Sequence, residues 1–255
     1  MRKKKVRAFV GTSGWQYDHW KDILYKGVPK SKWLSHYAKI FPAVEVNASF
    51  YHLLKKETYE RWAEETPDEF RFCIKGNRFL THNKKLEAPE ESIELEKSRA
   101  SGLGKKLAVV LWQMPRSLRK DIEKLIRFAE ALKAWKSTRH ALEFRRKEWF
   151  DDETANCLKR YGLANVISDA KDWPMWEAVT TDLVYIRLHG HEQTYVSSYS
   201  DKELRNWAKK IDVWLEEGKE VYVFFDNDAA GAAPPNALKL MKLLGISNSV
   251  SLLGK

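Results

Sequence analysis

The segment VYVFFDND, residues 221–228, combines an apolar run with a charged end. Five apolar or aromatic residues lead directly into Asp226, Asn227 and Asp228. Carboxylates can bind a divalent cation, accept protons or pair with a cationic side chain. A strand that is buried along its length has no use for two carboxylates at its tip. The segment therefore predicts a strand that ends at a functional site.

Several other segments show the same order, with apolar residues first and polar residues last. Side chains alternate along a strand, so residues two apart share a face. The polar residues at or near these ends are Glu45, Asn47 and Ser49; Lys75 and Asn77, with Arg78 and His82 beyond them; Gln113; Glu143 and Arg145; Asp169; Arg187 and His189; and Asp226 and Asp228. Their recurrence favours one shared site over chance.

Eight short β-branched or aromatic runs alternate with amphipathic stretches. The predicted strands are 7–13, 43–49, 70–77, 107–113, 140–145, 165–170, 183–190 and 221–228. Helical spacing of apolar residues is typical of 31–41, 117–135, 201–218 and 235–245, and 173–179 is the shortest and weakest helical stretch. In the last two long stretches, Asp201 is the expected N-cap, Pro235 the expected start, and Gly218 and Gly245 the expected ends.

This alternation predicts an α/β fold, a closed parallel eight-stranded TIM (β/α)8 barrel that occupies residues 1–255 as one domain. An open doubly wound sheet is the competitor, but its phosphate-binding fingerprints are missing. GTSGW is not G-x-G-x-x-G, and SGLGKKL lacks the P-loop spacing. In a parallel barrel the C-terminal strand ends surround one mouth, where the chemistry takes place. The polar ends should therefore converge there.

Composition indicates an ordinary globular protein with a basic balance. Hydrophobic residues make up 44% and charged residues 31% of the 255 residues, and the net charge is +10. No apolar run is long enough to span a bilayer, and the apolar stretch near the N-terminus is too short for a signal peptide. Cys73 and Cys157 lack a metal-type or redox-type neighbour and predict structural thiols in a reducing compartment. We expect a cytoplasmic protein with no membrane partner.

The positive net charge favours an anionic small molecule or nucleic acid as partner. A lysine-rich surface explains the same net charge equally well.

Five motifs resemble, in order, those of the domain-of-unknown-function 72 family (YecE-like). They are GTSGWQYDHW, YAKIFPAVEVNASFY, RWAEETPDEFRFCIKGNRFLTH, RLHGHEQTY and VYVFFDNDAAGAAPPNA. The resemblance spans nearly the whole chain and implies a TIM barrel, but the family carries no settled activity. It also implies mouth residues by motif matching: Tyr17, Glu45, Asn47, Tyr51, Lys75, Arg78, His82, Glu143, Arg145, Arg187, His189, Gly190, Asn227 and Asp228.

The chain departs from the family pattern at two positions. Arg146 stands where the family tends to have histidine, which removes a possible acid/base group. Asp226 stands where the eighth strand often carries asparagine, which adds a possible metal ligand. In outline the barrel is also similar to the divalent-metal superfamily of apurinic-site endonucleases and xylose isomerases. That similarity is an analogy of fold alone.

The first functional hypothesis is an enzyme that binds and hydrolyses a phosphorylated or nucleic-acid-like substrate. Glu45 or Glu143 would be the general base and His189 the general acid. Substrate would be bound by Tyr17, Asn47, Tyr51, Lys75, Arg78, His82, Arg145, Arg187 and Asn227. If a divalent metal ion is the cofactor, Asp169, Asp226 and Asp228 are its candidate ligands, together with Glu143.

Other interpretations of the same residues stay open. A non-catalytic nucleic-acid-binding protein would use the aromatic residues Trp15, Tyr17, Phe50, Tyr51 and Tyr195 beside basic groups. A sugar isomerase or other carbohydrate-active barrel would use two carboxylates in an aromatic mouth, and the cations favour a sugar phosphate over a neutral sugar. Glu45 and Glu143 could instead be inner carboxylates neutralised by Arg or Lys. Asp228 could merely cap the next helix.

Overall fold

Eight parallel strands form the centre of the part of the chain that the computed structural model describes, residues 7–246. In chain order they are β1 to β8: Ala8–Thr12, Ala43–Val46, Arg71–Lys75, Leu107–Gln113, Arg139–Glu143, Ala164–Asp169, Leu183–Leu188 and Glu220–Phe225. They lie in the order β1-β8-β7-β6-β5-β4-β3-β2, and every pair is parallel. The predicted TIM barrel is confirmed.

Helices surround the strands and cover their outer faces. They are α1 to α8: Trp33–Ile40, Ala48–Tyr51, Lys56–Glu64, Glu90–Ala100, Ile122–Leu132, Asp152–Tyr161, Asp201–Glu216 and Ala233–Leu243. Short 3₁₀ turns occur at Asp18–Trp20, Lys30–Lys32, Ser101–Lys106, Lys133–Trp135 and Lys147–Trp149, and a π turn at Phe79–Asn83. The buried residues of the longer helices recur at three- and four-residue spacing, as in Leu125, Phe128, Ala129 and Leu132 of α5.

The barrel interior is apolar in its lower part and polar at its C-terminal end. Strand residues of one phase point inward and form a separate apolar cluster: Phe9, Ala43, Cys73, Val109, Leu111, Ala141, Ala164, Val166, Leu183, Tyr185, Tyr222 and Phe224. Continuing this phase along β2, β5 and β7 leads to Glu45, Glu143 and Arg187, which are fully buried. Both cysteines are buried free thiols, as expected for structural residues.

The contact between β1 and β2 closes the barrel with little direct pairing. Within the described chain these strands share a single isolated bridge, between Ser13 and Glu45. The Tyr37 hydroxyl of α1 lies between the strands, where it accepts from Thr12 N at 2.9 Å and donates to Ala43 O at 3.2 Å. A side chain at Gly11 would place its Cβ 2.0 Å from Ala43 O, so only glycine allows this approach.

Helix boundaries correct the sequence predictions at several points. The N-cap of α7 is Ser200, not Asp201, because Ser200 and Glu203 form a reciprocal capping box. Helix α8 starts at Ala233, two residues before Pro235, and α5 starts at Ile122 behind the N-cap Asp121. Gly218 and Gly245 follow α7 and α8 with positive φ, at 80° and 63°, and the predicted helix ends are confirmed.

The predicted helical stretch 173–179 is wrong, because this connection between β6 and β7 has no helix. Pro174 disfavours helical backbone at the residue before it. The carbonyls of Trp176 and Ala178 accept from Asn165 Nδ2 of β6, at 3.0 and 3.1 Å. The segment therefore satisfies its backbone through a strand side chain instead of helical hydrogen bonds.

None of the helices formed within residues 7–246 is both long enough and apolar enough to cross a lipid bilayer.

Tyr37→Phe is expected to lower the free energy of unfolding by about 3 kcal/mol, because it leaves Thr12 N and Ala43 O buried without a partner. Urea unfolding followed by circular dichroism measures the change. Tyr161→Phe is the matched control, since the Tyr161 hydroxyl donates to Glu130 at the surface and its loss should cost under about 0.5 kcal/mol. Equal effects of the two substitutions would contradict the proposed role of Tyr37.

Candidate functional site at the mouth of the barrel

Arg187 of β7 lies at the centre of the mouth and is fully buried. Its guanidinium donates to Glu45 of β2 through Nε, at 3.1 and 3.0 Å from the two carboxylate oxygens, and through Nη2 at 2.7 Å. Nη1 donates to Glu143 Oε2 of β5 at 2.7 Å. Nη2 also donates to Asp226 Oδ2, just beyond β8, at 3.1 Å. One cation thus pairs with carboxylates from three strands, and Arg145 and Lys75 add positive charge beside them.

Glu45 is saturated with donors. Besides Arg187, Ser13 Oγ donates to its Oε1 at 2.6 Å and the Tyr185 hydroxyl to its Oε2 at 2.8 Å. A general base needs an oxygen free to accept a proton from substrate or water. The predicted role of Glu45 as base is therefore not supported by this geometry, and the structural interpretation of this residue fits better.

Glu143 is likewise held as a carboxylate. Burial alone would raise its pKa, but the charges of Arg145 and Arg187 outweigh burial and hold the pKa well below its usual value of 4.5. Arg145 Nε donates to Oε1 at 2.8 Å, and Ser168 Oγ donates to the same oxygen at 3.3 Å. An acid this strong is a poor proton acceptor near pH 7, so a role as general base is again not supported.

His189 is fully buried and closed off from the mouth. Its ring lies between those of Trp173 and Tyr195, with centroid distances of 5.0 and 5.5 Å. Nδ1 is 3.0 Å from Asp226 Oδ2, although neither ring nitrogen makes a well-aligned hydrogen bond to a described residue. Burial, reinforced by Arg187, lowers the pKa of His189, so the ring is neutral near pH 7. His189 therefore lies beside Asp226, and its ring cannot reach the leaving group of a substrate unless the neighbouring side chains move. The predicted role of His189 as general acid is not supported by this geometry.

The predicted metal ligands Asp169, Asp226 and Asp228 are not brought together. Asp169 accepts from the Tyr199 hydroxyl at 3.1 Å, on the outer face of β6, because the residue of inward phase is Ser168. Asp228 accepts from Trp20 Nε1 at 2.8 Å and lies 2.8 Å from His19 Nε2. Asp228 also accepts from the backbone N–H of Ala233, the first residue of α8, so it contacts the helix start in addition to Trp20 and His19.

Across residues 7–246, no group of three or more His, Cys, Asp or Glu side chains is placed to hold a metal ion. Asp226, which does face the mouth, is already engaged by Arg187. The described side chains do not fit a divalent-metal site.

Lys75 stands at the C-terminal end of β3 and is only 7% exposed. Its Nζ lies 4.1 Å from the centre of the Phe50 ring. No ion pair or hydrogen bond joins its ammonium to any residue of the described chain. Burial, and then the charge of Arg187, lower its pKa from 10.5 to about 8. Lys75 is therefore a buried amine without a direct ion-pair partner, although the charges of Glu143, Glu45 and Asp226 partly offset the lowering of its pKa.

Two further basic residues lie beyond Lys75 on the rim of the mouth. Arg78 is exposed and makes no hydrogen bond or ion pair to a described residue. His82 is half-buried, its ring packs edge-on against Phe50 at 5.0 Å, and Thr81 Oγ1 lies 2.8 Å from its Nδ1. Burial and the charges of Lys75, Arg78 and Arg145 lower the pKa of His82 to about 4. This side of the mouth is electropositive.

Aromatic residues form the rest of the wall. The Arg145 guanidinium carbon stacks 3.9 Å above the Trp173 ring, and Trp173 Nε1 donates to Ser168 Oγ at 2.9 Å. Tyr195 is 40% exposed and has a left-handed backbone with φ of 68°, which costs a non-glycine residue about 1–2 kcal/mol. Strain of this kind concentrates at functional loops. Gly190 has φ of 90° at the start of the same loop.

Of the remaining predicted substrate residues, Tyr17, Tyr51 and Asn47 lie at the mouth and Asn227 does not. Tyr17 is half-buried, faces Asp226, Asp228 and Glu45, and donates to Ser13 O at 2.6 Å; burial and then these carboxylates raise its pKa. Tyr51 is 59% exposed on α2. Asn47 begins α2 as its N-cap, and its buried Oδ1 has no hydrogen-bond partner among the described residues.

Asn227 and Arg146 lie outside the mouth. Asn227 is fully buried in the outward phase of β8, where its Nδ2 donates to Ser197 O at 3.0 Å and to Asn236 Oδ1 of α8 at 2.9 Å. The prediction that it binds substrate is not supported, since it fastens the loop before α7 to α8. Arg146 pairs with Glu148 and donates to Arg116 O at 3.1 Å.

Sequence reasoning missed four residues of the site. Ser13, Tyr185, Ser168 and Trp173 all hold the mouth carboxylates or their partners. Three of them could have been found by continuing the inward phase, since Ser13, Tyr185 and Ser168 lie two or four residues from other inward side chains. Trp173 gave no such signal, because it lies in an irregular connection.

The fold and this site define a parallel (β/α) barrel with a polar, arginine-centred mouth. The family model described as "Protein of unknown function DUF72" matches residues 9–253. The chain belongs to this family, which confirms the resemblance read from the motifs.

Individual relatives agree with this membership. The UPF0759 protein YunF of Bacillus subtilis is 28% identical, over 94% of this chain and 96% of its own length. The UPF0759 protein YecE of Escherichia coli K12 is 27% identical, over 64% of this chain and 59% of its own. The crystal structure of a DUF72 family protein of Thermotoga maritima superposes with a TM-score of 0.84 at 29% identity, covering 93% of this chain and 99% of that chain.

Arg187→Met is expected to destabilise the protein by about 3–5 kcal/mol at pH 7, because it leaves three carboxylates buried without their cation. In the native protein the pKa values of Glu143 and Asp226 are lowered, so their stabilisation is present above about pH 4.5 and is lost as pH falls further. In the variant the sign reverses, since crowded carboxylates are relieved by protonation, and stability should rise as pH falls from 8 to 5.

Urea unfolding across that pH range measures both effects. Arg139→Met is the matched control, because Arg139 also bridges two carboxylates, Glu220 at 3.0 Å and Asp182 at 2.6 Å, but at the exposed opposite end of the barrel. It should cost about 1 kcal/mol or less and keep the native pH trend. A native pH trend in Arg187→Met would contradict the assignment of Arg187 as the neutralising cation.

Proposed function

We propose that the mouth binds a phosphorylated small molecule, with its phosphate at Arg78 and the rest of the substrate over Lys75. The observation that carries the proposal is that neither side chain makes an ion pair or hydrogen bond to a described residue, although three carboxylates lie in the same mouth. Glu143, Glu45 and Asp226 act on Lys75 only at longer range, so an anion that reaches the buried amine directly would stabilise its charge further.

The carboxylates do not pair directly with Lys75 or Arg78, because their hydrogen bonds go to Arg187. Glu45, Glu143 and Asp226 all point at its guanidinium from around the barrel. Lys75, Arg78 and Arg145 make this side of the mouth electropositive. Their charges, together with burial, lower the pKa of His82 to about 4. An incoming phosphate would meet donors that are already in place, and its charge would be screened less than at an open surface.

Catalysis by this site would use Lys75 in place of the carboxylates. With a pKa of about 8, Lys75 is divided between its charged and uncharged forms near neutral pH, which is the range that suits proton transfer. Hydrolysis assisted by Glu45, Glu143 or a metal ion is less well supported, given the saturated carboxylates and the dispersed aspartates. The unpaired cations also favour a sugar phosphate over a neutral sugar.

Nucleic-acid binding is a second candidate, favoured by the exposure of aromatic rings beside Arg78. Phe79, which follows it, is 50% exposed, and Tyr51 is 59% exposed on the neighbouring helix α2. Exposed rings next to basic groups can stack bases while the cations pair with phosphates. The net charge of +10 would add an unspecific attraction to the same partner.

Arg78→Gln is expected to weaken the binding of phenyl phosphate at least ten-fold, because it removes a charged donor that makes no structural contact. Isothermal titration calorimetry measures the affinity, and unchanged thermal unfolding would show that the fold is intact. Arg205→Gln is the control, since Arg205 is also exposed and makes only a 3.9 Å pair with Asp201 on α7. Equal affinity of Arg78→Gln and the native protein, or no binding by either, would contradict the proposal.

For the second candidate, a fluorescent single-stranded oligonucleotide is expected to bind with an affinity that falls steeply between 50 and 200 mM salt, on the order of ten-fold or more for several phosphate contacts. The double substitution Tyr51→Ala, Phe79→Ala should weaken it further at constant salt, because stacking is worth about 1–3 kcal/mol per base. Fluorescence anisotropy reports both. Binding that ignores salt and both aromatic residues would remove this candidate.

A further inference from the structure

We propose that Lys75 is an amine nucleophile that forms an imine with an aldehyde or ketone group of the phosphorylated substrate. The inference rests on the proposed function, because the phosphate at Arg78 is what would hold the carbonyl group over Lys75. It adds a covalent step and narrows the substrate class to carbonyl compounds that carry a phosphate.

The chain itself shows how a structural buried lysine is accommodated. Lys106, just before β4, is 6% exposed, much like Lys75. Its Nζ donates to Ala63 O at 2.5 Å, to Thr66 O at 2.6 Å and to Thr66 Oγ1 at 3.4 Å. These three acceptors stabilise the ammonium form. Lys75 has none, so its burial serves no hydrogen-bonding purpose that the described residues reveal.

Burial and the charge of Arg187 favour the uncharged amine at Lys75. The Phe50 ring, 4.1 Å from Nζ, and the carboxylates of Glu143, Glu45 and Asp226 favour the ammonium, but burial and Arg187 prevail. Gly76 follows Lys75 where any side chain would collide with the Trp112 ring. The pKa of about 8 is consistent with this setting. The titratable and charged groups that face Lys75 are Glu45, Glu143, Arg187, Asp226, Arg78, Arg145 and His82. An uncharged amine in a site of this kind is the usual form of a Schiff-base lysine.

The covalent step balances without any further reactant. The nitrogen lone pair of Lys75 forms a bond to the carbonyl carbon, and the carbonyl electron pair moves to oxygen, which takes up a proton. The proton that the oxygen gains comes from the attached nitrogen through water, because His82, with a pKa of about 4, is a poor proton acceptor near pH 7. In the resulting carbinolamine the C–O bond breaks and a C=N bond forms, and the hydroxyl leaves as water with the second proton of the nitrogen.

Pyridoxal 5′-phosphate is a suitable probe, since it carries both an aldehyde and a phosphate. The full-length protein is treated with less than one equivalent at pH 7, and borohydride then delivers hydride to the imine carbon and fixes it as a secondary amine. Peptide mass spectrometry counts the label at each lysine. A pKa of about 8 in place of 10.5 gives about 300-fold more uncharged amine at pH 7. Lower intrinsic nucleophilicity offsets roughly one order of magnitude.

We therefore expect Lys75 to be labelled at least ten-fold faster than Lys84. Lys84 is the matched comparison because its Nζ also lies over a phenylalanine ring, that of Phe79 at 5.4 Å, but outside the mouth. Lys75→Arg should abolish the fast label, and Lys84→Arg should leave it unchanged. Because the first measurement uses the native protein, it stands even if Lys75→Arg does not fold.

Two further arms separate this inference from the proposed function. Inorganic phosphate should slow labelling of Lys75 by pyridoxal 5′-phosphate, and Arg78→Gln should slow it as well. If phenyl phosphate binds in calorimetry but Lys75 reacts no faster than Lys84, the imine is overturned and the phosphate site stands. If Lys75 reacts fast with both acetaldehyde and the probe, and phosphate gives no protection, the reactive amine stands and the phosphate site is overturned.

Discussion

The buried guanidinium of Arg187 is the interaction on which the rest of the mouth depends. Its partners Glu45, Glu143 and Asp226 come from β2, from β5 and from just beyond β8, so one side chain joins strands from across the barrel. Burying this many charges is costly, and only mutual neutralisation with well-placed donors offsets the cost. Ser13 and Tyr185 complete the donor set around Glu45. These residues therefore form one polar unit, in which the removal of any side chain would leave the buried charges of the others without a partner.

The saturation of this unit decides which groups remain for function. Arginine, serine and tyrosine donors engage both oxygens of Glu45, and arginine and serine donors engage both oxygens of Glu143, so the two glutamates that look catalytic in the sequence are poorly suited as bases. The side chains of Lys75 and Arg78 belong to the same mouth but make no ion pair or hydrogen bond within the described residues. Groups that support a site are thus satisfied in the protein alone, whereas groups that act on a ligand keep their bonding capacity. The contrast between Lys75 and the fully satisfied Lys106 follows the same rule.

Strand phase explains what the sequence could and could not predict. Alternation along each run placed the eight strands, and it correctly brought Glu45, Glu143 and Arg187 to one layer. It failed at Asp169, because Ser168 holds the inward position and the conspicuous charge next to it points outward. Partner choice lies beyond any such pattern, since the contacts of Arg187 join residues up to 142 positions apart. Residue types therefore indicated where a site lies, and only the packing showed which groups are free within it.

The connection between β6 and β7 shows why the one missing helix matters. A helix over residues 173–179 would pack outside the barrel and would carry Trp173 away from the mouth. The irregular backbone instead brings the indole to the strand ends, where Nε1 donates to Ser168 and the ring face supports Arg145. Trp173 also packs against His189, which lies beside Asp226. The local departure from the β/α repeat thus supplies a rigid aromatic wall that orients two of the groups around the Arg187 unit. The weakest helical signal in the sequence falls on the segment that the site requires to be irregular.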